Sequence, residues 1–237
     1  MINRLIIGVT CRLITSSLFG QKNPQYAELK PLTAFELQQL ASIPEYVPPV
    51  SDAATVLPTS VDNSTQPYFR TLFTQSGLEC GQASSVGLTT TYELNLARNL
   101  PANVPQNQLA TYFTYNFLNG GSDAGVSYYE SWEIIRRLGN PSVQDYGGLS
   151  AGGSARWMSG YDKYLNAMHN RITELYTIRT TDVTGLNTLR EWIYNHNNTT
   201  SIGGCANFYI QFKSPDGQLP AGTPEAGKWV IVTWGGS

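Results

Sequence analysis

The chain has 237 residues, 41% of them hydrophobic and 14% charged, with a formal net charge of −2. That apolar content suits one large domain or two small ones sharing an interface, and it excludes wholesale disorder. The near-neutral charge balance lacks the basic patch or stripe that nucleic-acid binding requires, so no nucleic-acid partner is expected.

Met1–Gln21 carries a basic residue, Arg4, then an apolar stretch, then small residues ending at Gly20. This is the order of a secretory signal peptide, although Arg12 interrupts the apolar run; a structural N-terminal helix is the alternative. No other stretch approaches the roughly 20 apolar residues of a membrane span. A soluble chain, secreted or periplasmic, is expected.

Residues 22–56 read as a linker or short pro-segment. Within them Ala34–Leu40 has a helical pattern, with Thr33 as N-cap and Glu36 three residues later to complete a capping box. Pro44, Pro48 and Pro49 then break regular structure. Leu57–Asp62 is extended. A helix is expected from Cys80 to about Leu100, ended by Pro101, and a second from Gln106 to Leu118, stopping at Asn119-Gly120-Gly121. Tyr128–Leu138 is a third, closed by Gly139, with Arg136 and Arg137 in its last turn. Gly147-Gly148 and Gly152-Gly153 mark a loop between halves. Tyr161 to about Leu175 places Tyr161, Leu165, Met168, Ile172 and Leu175 on one helical face, and Leu186–Tyr194 forms a short helix. Ala206–Phe212 and Trp229–Trp234 look like strands. Helices precede strands, so the fold class is α+β.

The three cysteines, Cys11, Cys80 and Cys205, form no CxxC pair and no Cys/His cluster, so neither a metal site nor a cofactor is expected. A single Cys80–Cys205 disulfide remains open. The segment Gln75-Ser76-Gly77-Leu78-Glu79-Cys80-Gly81 carries the chemistry. A cysteine at a helix start meets the positive end of the backbone dipole and free N–H groups, and both favour a thiolate. Gly77 and Gly81 keep its surroundings open, and Gln75 can bring an amide to a developing oxyanion. A buried cysteine packing at a helix start is the competing reading.

With its flanks added, the sequence resembles the papain family of cysteine peptidases. Leu57–Asp62 is similar to the extended lead-in of the mature domain. Gln75, Gly77 and Cys80 are similar to the oxyanion glutamine and the nucleophile loop. Ser84, Val86 and Gly87 fall at the family's spacing down the central helix. Asn119-Gly120-Gly121 resembles the glycine pair whose backbone binds substrate, and Tyr128–Leu138, Gly139 and Asp145-Tyr146 resemble the helix and turn after it. The resemblance covers about 57–237, with a helical half at about 57–148 and the start of a β-rich half at about 149–237. It departs from the pattern in three places. Gln75 lies one residue closer to the cysteine than usual, Gly81 replaces an aromatic, and no second cysteine sits nearby. A shifted register would put Cys80 on the family's structural cysteine and Ala83 at the nucleophile position, leaving an inert protein; only the first register aligns Ser84, Val86 and Gly87.

The resemblance implies catalysis by Cys80 and Gln75, with substrate held by Gly120 and Gly121 and a peptide or protein as partner. The thiol also needs an imidazole, which in this family lies about 130–150 residues downstream. Of the two histidines, His169 reads as a helix-boundary residue and His196 as a helix C-terminal one. The expectation is therefore a fragment whose β-rich half is incomplete, with the base beyond Ser237 and little or no turnover of its own. A non-catalytic, peptide-binding papain-fold protein is the alternative; a thiol acyltransferase of transglutaminase type is a third.

Overall fold

The computed structural model describes residues 4–7, 33–49, 56–75, 77–120, 124–147 and 158–208, with short pieces at 217–218, 220–223, 226–227 and 229–230. Among these the fold is predominantly helical with little strand, which agrees with α+β at a coarse level.

The organising element is one helical run that begins at Cys80. It comprises α2 (Cys80–Gln82), a π-helical stretch (Ala83–Thr90) and α3 (Thr91–Arg98), and ends at Asn99 in the left-handed conformation. The wide middle follows from its Ser/Thr content. The Thr90 and Thr91 hydroxyls donate to carbonyls five residues back, Ser85 O at 2.7 Å and Val86 O at 3.1 Å. Side-chain hydroxyls that bond the backbone locally compete with regular α-helical pairing. Gly87 is required there, because a Cβ would lie 2.8 Å from both the Phe73 ring and the Thr111 methyl.

Helix α4 (Thr111–Leu118) and helix α5 (Tyr128–Leu138) pack against this run. The expected helix from Gln106 is shorter than its pattern suggested. Pro105–Asn107 forms a separate 3-10 turn, and Leu109 bridges to Ser142, which holds the intervening backbone extended. Val86, Leu94, Leu109, Trp132, Ile135, Ile172 and Leu175 form the main core. Trp132 donates its indole N–H to the Thr90 hydroxyl at 2.9 Å, so α5 is fixed to the π-helical stretch by a buried polar bond as well. After α5, Gly139 takes φ +78°, and a Cβ there would strike the Ala167 carbonyl. Helix α6 (Val143–Tyr146) follows.

Helix α7 (Tyr161–His169) corrects the expected helix to Leu175. Asn170 stops it: its amide donates to Asn140 O and its side-chain oxygen accepts from Arg98. The chain then becomes extended, and Glu174–Thr177 forms β2. Ile172 and Leu175 reach the core from this extended segment, while Tyr161, Leu165 and Met168 face outward. Arg4–Ile7 forms β1 and pairs in parallel with β2, so these four residues are strand; the rest of Met1–Gln21 lies outside the described residues. Helix α8 (Val183–Asn195) is longer than expected at both ends: Asp182 caps its start by accepting from the Gly185 N–H, and His196 in the left-handed conformation closes its end. Residues 206–208 of the expected strand Ala206–Phe212 are irregular, and the rest lie outside the described residues. Gly217–Gln218 (β3) and Trp229–Val230 (β4) pair antiparallel; the remainder of the expected strand to Trp234 is also outside the described residues.

The segment expected to be a linker contributes to the core. Helix α1 (Ala34–Ala41) carries the full Thr33/Glu36 capping box. Leu40 and Ile43 pack on the main core, and Tyr46 is buried among Trp192, Ile178 and Ala206. Backbone bonds between residues 44–46 and Thr177 fix its position.

Candidate functional site

Cys80 is exposed and stands at the first position of the central helix, as the spacing predicts. Glu79 before it is fully buried but makes no side-chain capping bond to the helix, so it does not occupy the first-turn N–H groups. The Arg70 guanidinium lies over the Phe73 ring at 3.9 Å and donates to Leu109 O at 3.3 Å. Burial pushes Arg70 down from its ordinary value, and the charge of Glu79 partly offsets this. A buried carboxylate with a cation in its field therefore backs the loop that presents the thiol.

Gln75 is exposed, and its amide donates to Gly77 O at 3.2 Å, closing the loop on itself. Gly77 has φ +72°, the left-handed turn that lets the loop double back. The amide has two N–H groups, so one can serve an oxyanion while the other keeps the bond to Gly77 O. Gly120 has φ +62° and nothing within 4 Å of its missing side chain, so its backbone is open. Gly121 lies outside the described residues.

What the structure brings together is the first turn of the central helix and the segment just after the glycine pair. A Cβ on Gly81 would meet Tyr128 Cβ at 3.3 Å and Val126 O at 3.6 Å. A Cβ on Gly125 would lie 4.0 Å from Leu78 O. Gln82, fully buried, binds the two segments. Its amide lies 3.0 Å from the Ser131 hydroxyl, 3.3 Å from Ser127 O and 3.4 Å from Val126 O. Its signal in the sequence is an amide two residues past the thiol, where a helix would otherwise bury an apolar side chain.

Neither histidine joins this site. His169 is exposed at the end of α7, and its carbonyl accepts from Arg98. His196 is buried, with Nε2 3.0 Å from Glu93 Oε2 and Nδ1 2.6 Å from Ile202 O. Glu93 lies thirteen residues along the helix from Cys80, roughly 15–20 Å by helical rise. Cys205 is held at the same far end, its N–H donating to Glu93 Oε1 at 2.6 Å. Cys80 and Cys205 are free thiols, so the open disulfide reading does not hold. Among the described residues no group of three or more metal-ligating side chains converges, and no helix is long and apolar enough to cross a membrane.

No family model matches this sequence, and no curated protein or solved structure does either.

Proposed function

We propose that the chain carries a papain-like cysteine peptidase domain. In this reading the Cys80 sulfur attacks a peptide carbonyl and forms a C–S bond. The C–N bond then breaks, the amine leaves with a proton, and water releases the acyl group as a carboxylate, regenerating the thiol. Gln75 donates to the oxyanion, and Gly120-Gly121 offer backbone to the substrate. Neither histidine stands at Cys80: the His196 ring is engaged by Glu93 and Ile202 at the far end of the central helix, and the His169 carbonyl accepts from Arg98, so this reading requires an imidazole from elsewhere.

The observation that carries the reading is an exposed sulfur at a helix start, bound through Gln82 to the segment that follows an open glycine backbone. Competitive alkylation tests it. A peptidyl halomethyl ketone is expected to modify Cys80 well ahead of Cys205, whose thiol is pushed well up by burial and then by the charge of Glu93. It is also expected to modify Cys80 several-fold faster than it modifies free cysteine, as read by intact mass and peptide mapping with Cys80→Ala as control. Equal rates for Cys80 and free cysteine would remove the peptide groove and with it the peptidase. The placement of both histidines away from Cys80 favours a second reading, a peptide-binding protein without turnover. Peptide hydrolysis that Cys80→Ala abolishes would decide for the peptidase, and peptide binding without hydrolysis for the second reading.

A further inference from the structure

The far end of the central helix holds a polar cluster that the proposed chemistry does not use. His196 is 6% exposed and Glu93 9%, and the cluster fastens the segment 200–205 onto the helix. Tyr92 donates its hydroxyl to Gly203 O at 2.7 Å, Trp192 its indole N–H to Cys205 O at 3.0 Å, and Asn63 its amide to Gly204 O at 2.9 Å. Gly204 has no space for a side chain, because a Cβ would lie 2.4 Å from Trp192 Nε1 and 2.7 Å from His196 Nε2. His196, Asn197 and Asn198 all take positive φ, so the turn is built to deliver the imidazole inward.

The proton count of this cluster is fixed by its neighbours. At Nδ1 of His196 lie Ile202 O at 2.6 Å and the Thr200 hydroxyl oxygen at 3.1 Å. The Thr200 hydroxyl spends its own proton on Ile202 O at 2.6 Å, so both groups face Nδ1 as acceptors and Nδ1 carries a hydrogen. At Nε2 lies Glu93 Oε2, whose partner oxygen Oε1 accepts from the Cys205 N–H. One further proton must therefore sit between Nε2 and Oε2. Without it a ring lone pair would face a carboxylate at 3.0 Å in a site closed to water, and unpaired buried acceptors are costly.

We propose that this shared proton makes Glu93 and His196 a pH-sensitive clasp, which holds the segment 196–205 to the central helix more tightly while the proton is present than after it is lost.

Among the described residues, the titratable and charged groups around the pair are the following. Glu93 comes from the helix, with Tyr92 beside it; Cys205 comes from the clasped segment; Glu191 of α8 lies 3.4 Å from the Asn197 amide. Burial alone would lower His196, but the hydrogen bond and charge of Glu93 outweigh it, and the net direction is up. A histidine raised in the folded state contributes stability in full below its unfolded value of about 6.5, and that stability is lost as pH rises through the folded value. Tyr92 and Cys205 are both pushed up, first by burial, and stay neutral through that window.

The test uses Glu93→Gln in a Cys205→Ala background, which removes thiol ionisation from the alkaline limb. The glutamine amide can donate to a neutral His196 Nε2 while its oxygen still accepts from the residue 205 N–H, so the clasp closes without the shared proton. The Cys205→Ala protein is expected to lose on the order of 5 °C in Tm between pH 6.5 and pH 9. Glu93→Gln is expected to hold its Tm to within about 1 °C over the same range. An equal fall in both would overturn the proposal. If the glutamine variant does not fold, the ring-proton titrations of His196 and His169 in the unsubstituted protein decide. A higher midpoint for His196 supports the clasp, and an equal or lower one overturns it.

Discussion

Replacing Gln82 with leucine keeps the volume of the side chain and removes its donors. The structure sets the size of the effect. One contact, to the Ser131 hydroxyl at 3.0 Å, has good hydrogen-bond length, while those to Ser127 O and Val126 O at 3.3 and 3.4 Å are long. Two N–H groups serve three acceptors, so the loss amounts to about one good bond and a weak one. Leaving buried acceptors unmet costs about 1–3 kcal/mol, which in a chain of this size corresponds to a Tm drop of roughly 2–4 °C for each kcal/mol. Urea or thermal unfolding reads that part. The functional part is read by two alkylating reagents of different size. Iodoacetamide touches only the thiol, so its rate at Cys80 is expected to change less than about twofold. A peptidyl halomethyl ketone also needs the backbone beyond Gly120 held at a fixed distance from the sulfur. Loosening the joint by about 1.4 kcal/mol would slow that reagent about tenfold. If both reagents slow equally, Gln82 supports the thiol itself and does not set the spacing between the two segments. If neither slows, the segment at 124–127 takes no part in binding.

Two further outcomes follow from the same packing. Tyr46 is buried edge-on against Tyr176 at 5.7 Å and Trp192 at 5.6 Å, so Tyr46→Ala is expected to destabilise the protein by about 3–5 kcal/mol in urea unfolding; a loss under about 1 kcal/mol would show that residues 33–49 are a detachable leader to the domain. The two sequence registers separate with Ala83→Cys in a Cys80→Ala background. Residue 83 is one turn inside the helix and part-buried, so its thiol is expected to react at least tenfold more slowly with the peptidyl reagent than Cys80 does; a faster reaction would move the nucleophile position to 83.

Features governed by local rules were legible in the sequence. The Thr33/Glu36 capping box, Tyr128–Leu138 with Gly139 beyond it and the helix start at Cys80 depend on neighbours within a turn or two, and each stands where the pattern put it. Features decided by distant partners were not. The apolar spacing through Tyr161, Leu165, Met168, Ile172 and Leu175 fits one helical face, yet Asn170 is held by Arg98 and Asn140, and pairing at 174–177 takes the rest. The prolines at 44, 48 and 49 do end α1, but they leave residues 44–46 free to pair with Thr177 and bury Tyr46, which composition could not show. The site was legible as a residue type at a helix start. Its joint to the segment at 124–127 was not, because Gln82 and Ser131 are 49 positions apart and unremarkable singly.

The two ends of the central helix divide the polar chemistry of the chain. At its start the thiol is exposed, the buried Glu79 leaves the first turn uncapped by its side chain, and open glycine backbone lies on the neighbouring segment. At its end Glu93 is engaged at both oxygens and His196 at both ring nitrogens, and Gly204 has no room for a side chain beside them. An imidazole acts as a general base only when one nitrogen is free to take a proton, and in the closed clasp His196 has none to offer. Its distance from Cys80 and its hydrogen bonds therefore lead independently to the same assignment: this histidine closes the fold, and any base for Cys80 approaches the helix from its other end.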